Sequence, residues 1–307
     1  MGGGSSVIRR SPAQKSNAEF TSSLRSNFAD AQAAAHHEHS KQPNGHSSRP
    51  LPYSSWTTRQ RDTIFVPSID FENSGLAEDR PQYEVTIKLF FLPNKPASDR
   101  CAQSREAINL VLKELHISSI DLLIVSYPGI AFDADDEEEQ PDAEAPNSED
   151  ALRADAHAES IEAMIETWKC LEQFHDEGVI GRLGVSEFGT QRLSRFLKKA
   201  RIRPSVNQIN VRDCCVVPKP LIVYAKQEKI ELLTHSDCTN ILPRETMVEL
   251  LGHGEGGAGV LGGNAEGSLQ GDAEPQWVIK YTAVVKDRGV IENKGYFAAV
   301  EIQDSRC

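Results

Sequence analysis

The sequence predicts an α/β protein in which parallel strands alternate with helices, in the manner of a TIM-like (β/α)8 barrel. The first observation is that short apolar runs alternate with amphipathic helical segments along most of the chain. The second is the continuous apolar run at residues 121–128, which is typical of a parallel strand covered on both faces. The third is the length of 307 residues, which accommodates one barrel of roughly 250 residues with tails.

The predicted core begins with a buried strand at residues 83–92, which Pro93 stops. A helix follows, because five apolar residues recur at helical spacing: Ala107, Ile108, Val111, Leu112 and Leu115. The apolar run at 121–128 is the next strand and completes one βαβ unit. Alternation then continues with strands at 181–186, 205–209 and 230–234 and helices at 161–174, 193–200 and 221–227.

A last helix is expected near the end of the chain, after a Gly-rich insert at about 252–271. Its apolar residues fit the helical period: Trp277, Val278, Tyr281, Val284 and Val285. An acidic insert at about 131–155 interrupts the core earlier, and such a block repels itself and stays solvated. The predicted barrel therefore spans 82–302, followed by a tail at 303–307.

Residues 1–81 are rich in Ser, Ala, Asn, Gln and Pro and have no sustained period, which predicts a mostly disordered N-terminal extension. Trp56 and the apolar residues between 64 and 69 could dock as a short strand or turn. His36, His37 and His39 lack cysteine partners at zinc spacing, so no metal site is expected.

Composition narrows the class of protein. The net charge of -12 argues against a nucleic-acid surface, which needs clustered lysines and arginines. No run of about 18 apolar residues and no secretory leader is present, so we expect a cytoplasmic protein without a membrane segment. The 6 cysteines show neither a disulfide framework nor a CxxC pair, so reduced thiols are expected.

Four segments resemble successive barrel strands of the aldo-keto reductases. They are Asp121-Leu-Leu-Ile-Val-Ser-Tyr-Pro128, Gly181-Arg-Leu-Gly-Val-Ser186, Val206-Asn-Gln-Ile-Asn210 and Ile230-Glu-Leu-Leu-Thr-His235. A narrower resemblance is to the modifier subunits of glutamate–cysteine ligase, a subfamily of that fold, through Cys214-Cys215-Val-Val-Pro218, Leu232-Leu-Thr-His-Ser-Asp237 and residues 281–296. The resemblance covers roughly 83–300 apart from the inserts. It implies a divergent aldo-keto reductase barrel.

The resemblance also implies a degenerate reductase site. Members of the family use an acid tyrosine, a lysine held by an aspartate, and a histidine that orients the carbonyl. Lys88 matches the lysine, but Ser126 stands at the histidine position, where a hydroxyl cannot replace an imidazole. No Asp-x-x-x-x-Tyr-Gly segment exists, and Tyr53 and Tyr83 are poor substitutes. We therefore expect no catalytic residues, and we favour a structural pairing of Lys88 with a carboxylate over chemistry.

Cofactor binding is expected to be weak or absent. Ser186 and Gln208 match residues that hold the nicotinamide amide in the family, but Glu187 replaces the usual Asn and His235 the usual stacking Tyr. Only Lys294 remains of the basic segment that clamps the adenosine phosphate. The sequence thus predicts vestigial cofactor residues and no bound cofactor.

The function implied by the resemblance is regulatory. Such a subunit binds the glutamate–cysteine ligase catalytic subunit as a heterodimer, raises its affinity for glutamate and relieves feedback inhibition by glutathione. Cys214 and Cys215 are candidate partner contacts, although packing is the simpler interpretation. Two alternatives stay open: an NADPH-dependent aldo-keto reductase, and a binding module that uses the acidic run at 133–139.

Overall fold

The computed structural model describes residues 17–41, 51–93, 95–132, 159–210, 217–238, 240–254, 256–262 and 268–303. Within these ranges the helices are α1 (Ala18–Ser40), α2 (Arg100–Leu115), α3 (Ile161–Asp176), α4 (Thr190–Leu197), α5 (Lys219–Glu228) and α6 (Arg244–Leu251). The strands are β1 (Thr58–Gln60), β2 (Thr63–Phe65), β3 (Tyr83–Phe91), β4 (Ile120–Ser126), β5 (Ile180–Ser186), β6 (Val206–Asn210), β7 (Glu231–His235), β8 (Asp272–Val285) and β9 (Val290–Gln303).

Seven strands form one sheet in the order β7-β6-β5-β4-β3-β8-β9. Each neighbouring pair from β3 to β7 is parallel, whereas β8 runs antiparallel to both β3 and β9. The predicted α/β class with a parallel-rich sheet is confirmed. Pairing between β7 and β9 is not detected in the described part of the chain, which leaves closure into a barrel as a prediction.

The centre of the sheet is buried on both faces, as its continuous apolar strands require. Ile87 and Leu89 of β3 have no exposed surface, and the same holds for Leu123 and Val125 of β4. Helix α2 covers this layer through residues spaced four apart, and α3 packs beside it. Ser160 begins α3 as its N-cap, since its side chain accepts a hydrogen bond from the backbone of Ala163. The core thus holds the C-terminal ends of β3 to β7 in fixed positions.

The last predicted helix is wrong, because residues 277–285 lie in strand β8. Along this strand the buried side chains alternate: Trp277, Ile279, Tyr281, Ala283 and Val285. The same apolar residues fit a helical period and a strand period, so periodicity alone does not distinguish them. Pairing with β3 on one side and β9 on the other decides the outcome.

The N-terminal extension is more ordered than predicted, since α1 is a helix of 23 residues. Phe20 and Phe28 are buried in a second apolar cluster with Trp56, Met247 and Val278. These long-range contacts stabilise a helix whose own sequence has no clear apolar stripe. Trp56 also precedes the antiparallel hairpin of β1 and β2, so the docked segment expected near it is present.

The expectation of reduced thiols is wrong for one pair. Cys101 on α2 and Cys170 on α3 form a disulfide, with Cα atoms 5.6 Å apart and a sequence separation of 69. Packing of the two helices brings the thiols together, which the spacing of the cysteines does not reveal. Cys214 and Cys215, and nearly all of the acidic insert, lie outside the described residues. Among the helices that the structure describes, none is long and apolar enough to cross a bilayer.

Candidate functional site

Lys88 lies near the C-terminal end of β3, with Ile124 of β4 on one side and Lys280 of β8 on the other. It is a buried lysine, with only 5% of its surface exposed. Its Nζ lies 3.2 Å from His235 Nδ1 and 3.3 Å from Asp237 Oδ2, and 5.0 Å from the centre of the Phe90 ring. The lysine is therefore held by a carboxylate, an imidazole and an aromatic face.

His235 ends strand β7, and Asp237 follows it by two residues. The backbone N–H of Asp237 donates a hydrogen bond to His235 Nδ1 over 3.1 Å, so this nitrogen carries no proton. The imidazole proton then lies on Nε2, which contacts the carboxylate of Glu187. Glu187 has a positive φ of 65° and accepts a hydrogen bond from the backbone of Phe132 over 2.8 Å. His235 thus presents an acceptor to Lys88.

The second lysine of the site is Lys280. Its Nζ lies 3.2 Å from Asp237 Oδ1 and 3.6 Å from Glu19 Oε2. Glu19, in the first turn of α1, also accepts a hydrogen bond from Lys294 over 3.0 Å. The charges alternate from Lys88 through Asp237, Lys280 and Glu19 to Lys294. Each ammonium group faces a carboxylate, although the three lysines outnumber the two carboxylates by one.

The two lysines of the site differ in their pKa values. Burial lowers the pKa of Lys88 to about 8, although Asp237 and Glu187 oppose the shift. Burial acts in the same direction on Lys280, but Asp237 and Glu19 outweigh it and raise its pKa above the ordinary lysine value. Burial also opposes ionisation of Asp237, yet the two ammonium groups hold its pKa below the usual range. Near pH 8, Lys88 is therefore half deprotonated while Lys280 stays charged.

A cavity of about 300 Å³ adjoins the cluster. Hydroxyl-bearing side chains form part of its wall: Thr86, Thr234, Ser236 and Thr282. Lys88, His235, Asp237 and Lys280 form another part. The cavity is polar, is lined by two lysines and one carboxylate, and is small enough to admit only a small molecule.

The structure brings together some of the candidate residues from the sequence. Gln208 on β6 and His235 line the same cavity as Lys88. Ser126 is buried at the end of β4, and the hydroxyl of Ser186 donates to the backbone carbonyl of Val125 over 3.3 Å. Lys294 lies on β9 and does not line this cavity, and it joins the cluster through Glu19.

The sequence missed three residues of the cluster, each for a separate reason. Asp237 lies in the Leu232-Leu-Thr-His-Ser-Asp237 motif, but no local pattern pairs it with Lys88, which is 149 positions away. Lys280 was hidden within a segment predicted as helix, and Glu19 within a segment predicted as disordered. Only the register between β3 and β8, which sets Lys88 opposite Lys280, could have indicated the second lysine.

The tyrosines lie away from Lys88 or are poor acids. Tyr83 begins β3, and its hydroxyl donates to Glu292 over 2.5 Å. Tyr296 lies with its ring 5.6 Å from Lys280 Nζ, and burial raises its pKa to about 12. Within the described ranges, no tyrosine contacts Lys88, and no cluster of three metal-binding side chains is present.

Comparison with known proteins agrees with this fold. The sequence profile described as "Aldo/keto reductase family" matches residues 71–239, more than half of the chain. Among solved structures, an aldo-keto reductase from a Medee basin deep-sea metagenome library covers 55% of this chain and 44% of its own at 19% identity. The TM-score between the two structures is 0.32.

Several similar curated proteins share one name. A Schizosaccharomyces pombe protein, provisionally named glutamate–cysteine ligase regulatory subunit, is 29% identical over 76% of this chain and 76% of its own. Proteins of mouse and human with that name are 27% and 26% identical, over 71% of this chain and 66% of theirs. The match thus spans about two thirds of the mammalian proteins. From the profile match, the chain belongs to the aldo/keto reductase family.

Proposed function

We propose that this chain is the non-catalytic regulatory subunit of a glutamate–cysteine ligase. Several similar curated proteins carry that name, which supports a regulatory role. The observation that carries the proposal is the pairing of Lys88 with Asp237 and His235, with no tyrosine at the ammonium group in the described part of the chain. A reductase needs a tyrosine acid beside this lysine.

The alternative, a carbonyl reductase, fits these residues less well. A tyrosine that acts as general acid needs a pKa lowered toward neutrality, whereas that of Tyr296 is raised to about 12. Ser126 occupies the histidine position of the family and is buried. These two features oppose reductase chemistry by separate physical effects, one on proton donation and one on the orientation of a carbonyl.

Weak binding of NADPH is part of the proposal. Lys294 is the remaining candidate for the phosphate clamp, and it is already bound to Glu19. Trp168 and Trp277 are buried in the core, so their fluorescence would report a change there. Titration with micromolar NADPH should leave tryptophan fluorescence without saturable quenching. Saturable quenching would contradict this part of the proposal.

The proposed role is allosteric. It requires a separate catalytic chain, with which this chain forms a heterodimer in the cytoplasm. If the active state of the partner binds this subunit more tightly, association raises glutamate affinity and weakens inhibition by glutathione. A coupling free energy of about 1 to 3 kcal/mol is enough for such an effect.

The test mixes the purified chain with the glutamate–cysteine ligase catalytic subunit of the same organism. Initial rates are measured against glutamate concentration, with and without glutathione. The proposal expects a lower apparent KM and weaker inhibition when this chain is present. No complex and no kinetic change would contradict it, and an NADPH-dependent carbonyl reduction by the chain alone would favour the alternative.

Cys214 and Cys215 are the proposed partner contacts. The double variant Cys214→Ser, Cys215→Ser tests them, with Cys238→Ser as a matched control. If one of the two thiols links the subunits by a disulfide, the double variant should lose a covalent complex that forms under an added oxidant and that the control keeps. An unchanged complex would remove this contact from the proposal and leave the regulatory role intact.

A further inference from the structure

The Lys88 cavity places a nucleophilic amine beside two proton acceptors. Asp237 Oδ2 and His235 Nδ1 lie 3.3 Å and 3.2 Å from Nζ. Since the backbone of Asp237 already donates to Nδ1, the imidazole accepts rather than donates on this side. We propose that Lys88 captures small uncharged aldehydes as imines inside this cavity. The proposal concerns the chain alone and does not depend on the regulatory role.

The chemistry balances without an oxidant or reductant. The neutral amine attacks the aldehyde carbon, a C–N bond forms, and the carbonyl oxygen takes up a proton to give a carbinolamine. Loss of one water molecule then gives the C=N bond. Asp237 and His235 can accept and return the protons that these steps move. A protonated imine keeps the positive charge and one N–H, so it preserves the ion pair with Asp237.

The surroundings of Lys88 make the reaction selective. Asp237 and His235 face it from the end of β7, Glu187 from the end of β5, and Lys280 from β8. Asp237 already pairs with both ammonium groups of the wall, so no charged group there is left without a partner to bind a charged carbonyl compound. The hydroxyl groups of the wall suit a small polar aldehyde.

Lys280 is an internal control within the same cavity. Burial leaves Lys88 half neutral near pH 8, whereas the carboxylates around Lys280 keep that ammonium protonated. Only the neutral amine attacks a carbonyl, so the two lysines should differ in reactivity although both line one cavity. Lys280 is the more exposed side chain, at 25% against 6%, so faster labelling of Lys88 would follow from their partners and not from access.

The experiment treats the folded full chain with glycolaldehyde and sodium cyanoborohydride, which reduces an imine to a stable secondary amine. Peptide mass spectrometry then measures the labelling rate at each lysine from pH 6 to 10. Lys88 should label at least ~10-fold faster than Lys280 at pH 8, and its rate should level off above about pH 8, where its amine is already neutral.

Two results would overturn the proposal: equal labelling of Lys88 and Lys280, or a Lys88 rate that keeps rising through pH 10 as for an ordinary surface lysine. The Lys88→Arg variant keeps the charge but should lose the fast-labelled site. If that variant does not fold, the comparison within the wild-type chain still decides, because it needs no substitution.

Discussion

Lys88 and Asp237 form a buried ion pair, with Nζ 3.3 Å from Oδ2 although 149 residues separate them in sequence. Asp237 also binds Lys280 over 3.2 Å, so one carboxylate holds two ammonium groups. Through these contacts Asp237, in the segment after β7, is joined to Lys88 of β3 and to Lys280 of β8. Its carboxylate is therefore central to the stability of this end of the sheet.

Substitution of Asp237 is expected to destabilise the fold strongly. Asp237→Asn leaves Lys88 and Lys280 buried without their common carboxylate, and should reduce the free energy of unfolding by about 3 to 5 kcal/mol. Urea denaturation measures the change. Asp176→Asn is the matched control, since Asp176 pairs with Arg201 at the surface and water screens that pair. Equal effects of the two substitutions would show that the buried pair contributes no more than an exposed one.

The depressed pKa of Lys88 predicts a specific pH dependence. The folded chain releases this proton near pH 8, whereas the unfolded chain holds it to about pH 10.5. The unfolded state therefore binds more protons within that window, and the contribution of Lys88 to stability rises with pH. Between pH 8.5 and 9.5 the wild-type chain should gain about 1 kcal/mol relative to Lys88→Met. Denaturation curves of both proteins at each pH measure the gain, and a constant difference would contradict it.

Helix α1 is predicted to be part of the folded core. Phe20 and Phe28 are 1% and 3% exposed, so Phe20→Ala and Phe28→Ala should each cost about 3 to 5 kcal/mol. Asn27→Ala in the same helix is an exposed control and should change stability little. Urea denaturation and limited proteolysis provide the measurements. If the phenylalanine variants keep both their stability and their protease protection, α1 does not pack on the sheet.

The disulfide between Cys101 and Cys170 is predicted to constrain the unfolded chain. It closes a loop of 69 residues, and reduction should lower the free energy of unfolding by about 3 to 4 kcal/mol. Denaturation with and without a reducing agent measures this, and Cys101→Ser should abolish the difference. Cys238→Ser, which removes a cysteine outside the pair, should preserve it. An unreduced digest in which the two cysteine peptides are not joined would contradict the bond itself.

Local patterns in the sequence determined the parallel part of the fold. The continuous apolar run of β4 predicted a strand buried on both faces, and the β-rich run of β3 predicted a second buried strand. Helices α2 and α3 followed from apolar residues that recur on one face. Lys88 and His235 were singled out by the resemblance of their segments to the aldo-keto reductases.

Tertiary contacts alone decided the rest. Residues 277–285 fit both a helix and a strand, and the open edge of β3 selected the strand. Helix α1 gains its stability from Phe20 and Phe28 inside a distant apolar cluster. Asp237, Lys280 and Glu19 have no local signal, because an ion pair depends on distance in space and not on spacing along the chain. The sequence by itself therefore determined the fold class and the position of Lys88, and only the packing of distant segments decided what surrounds that lysine.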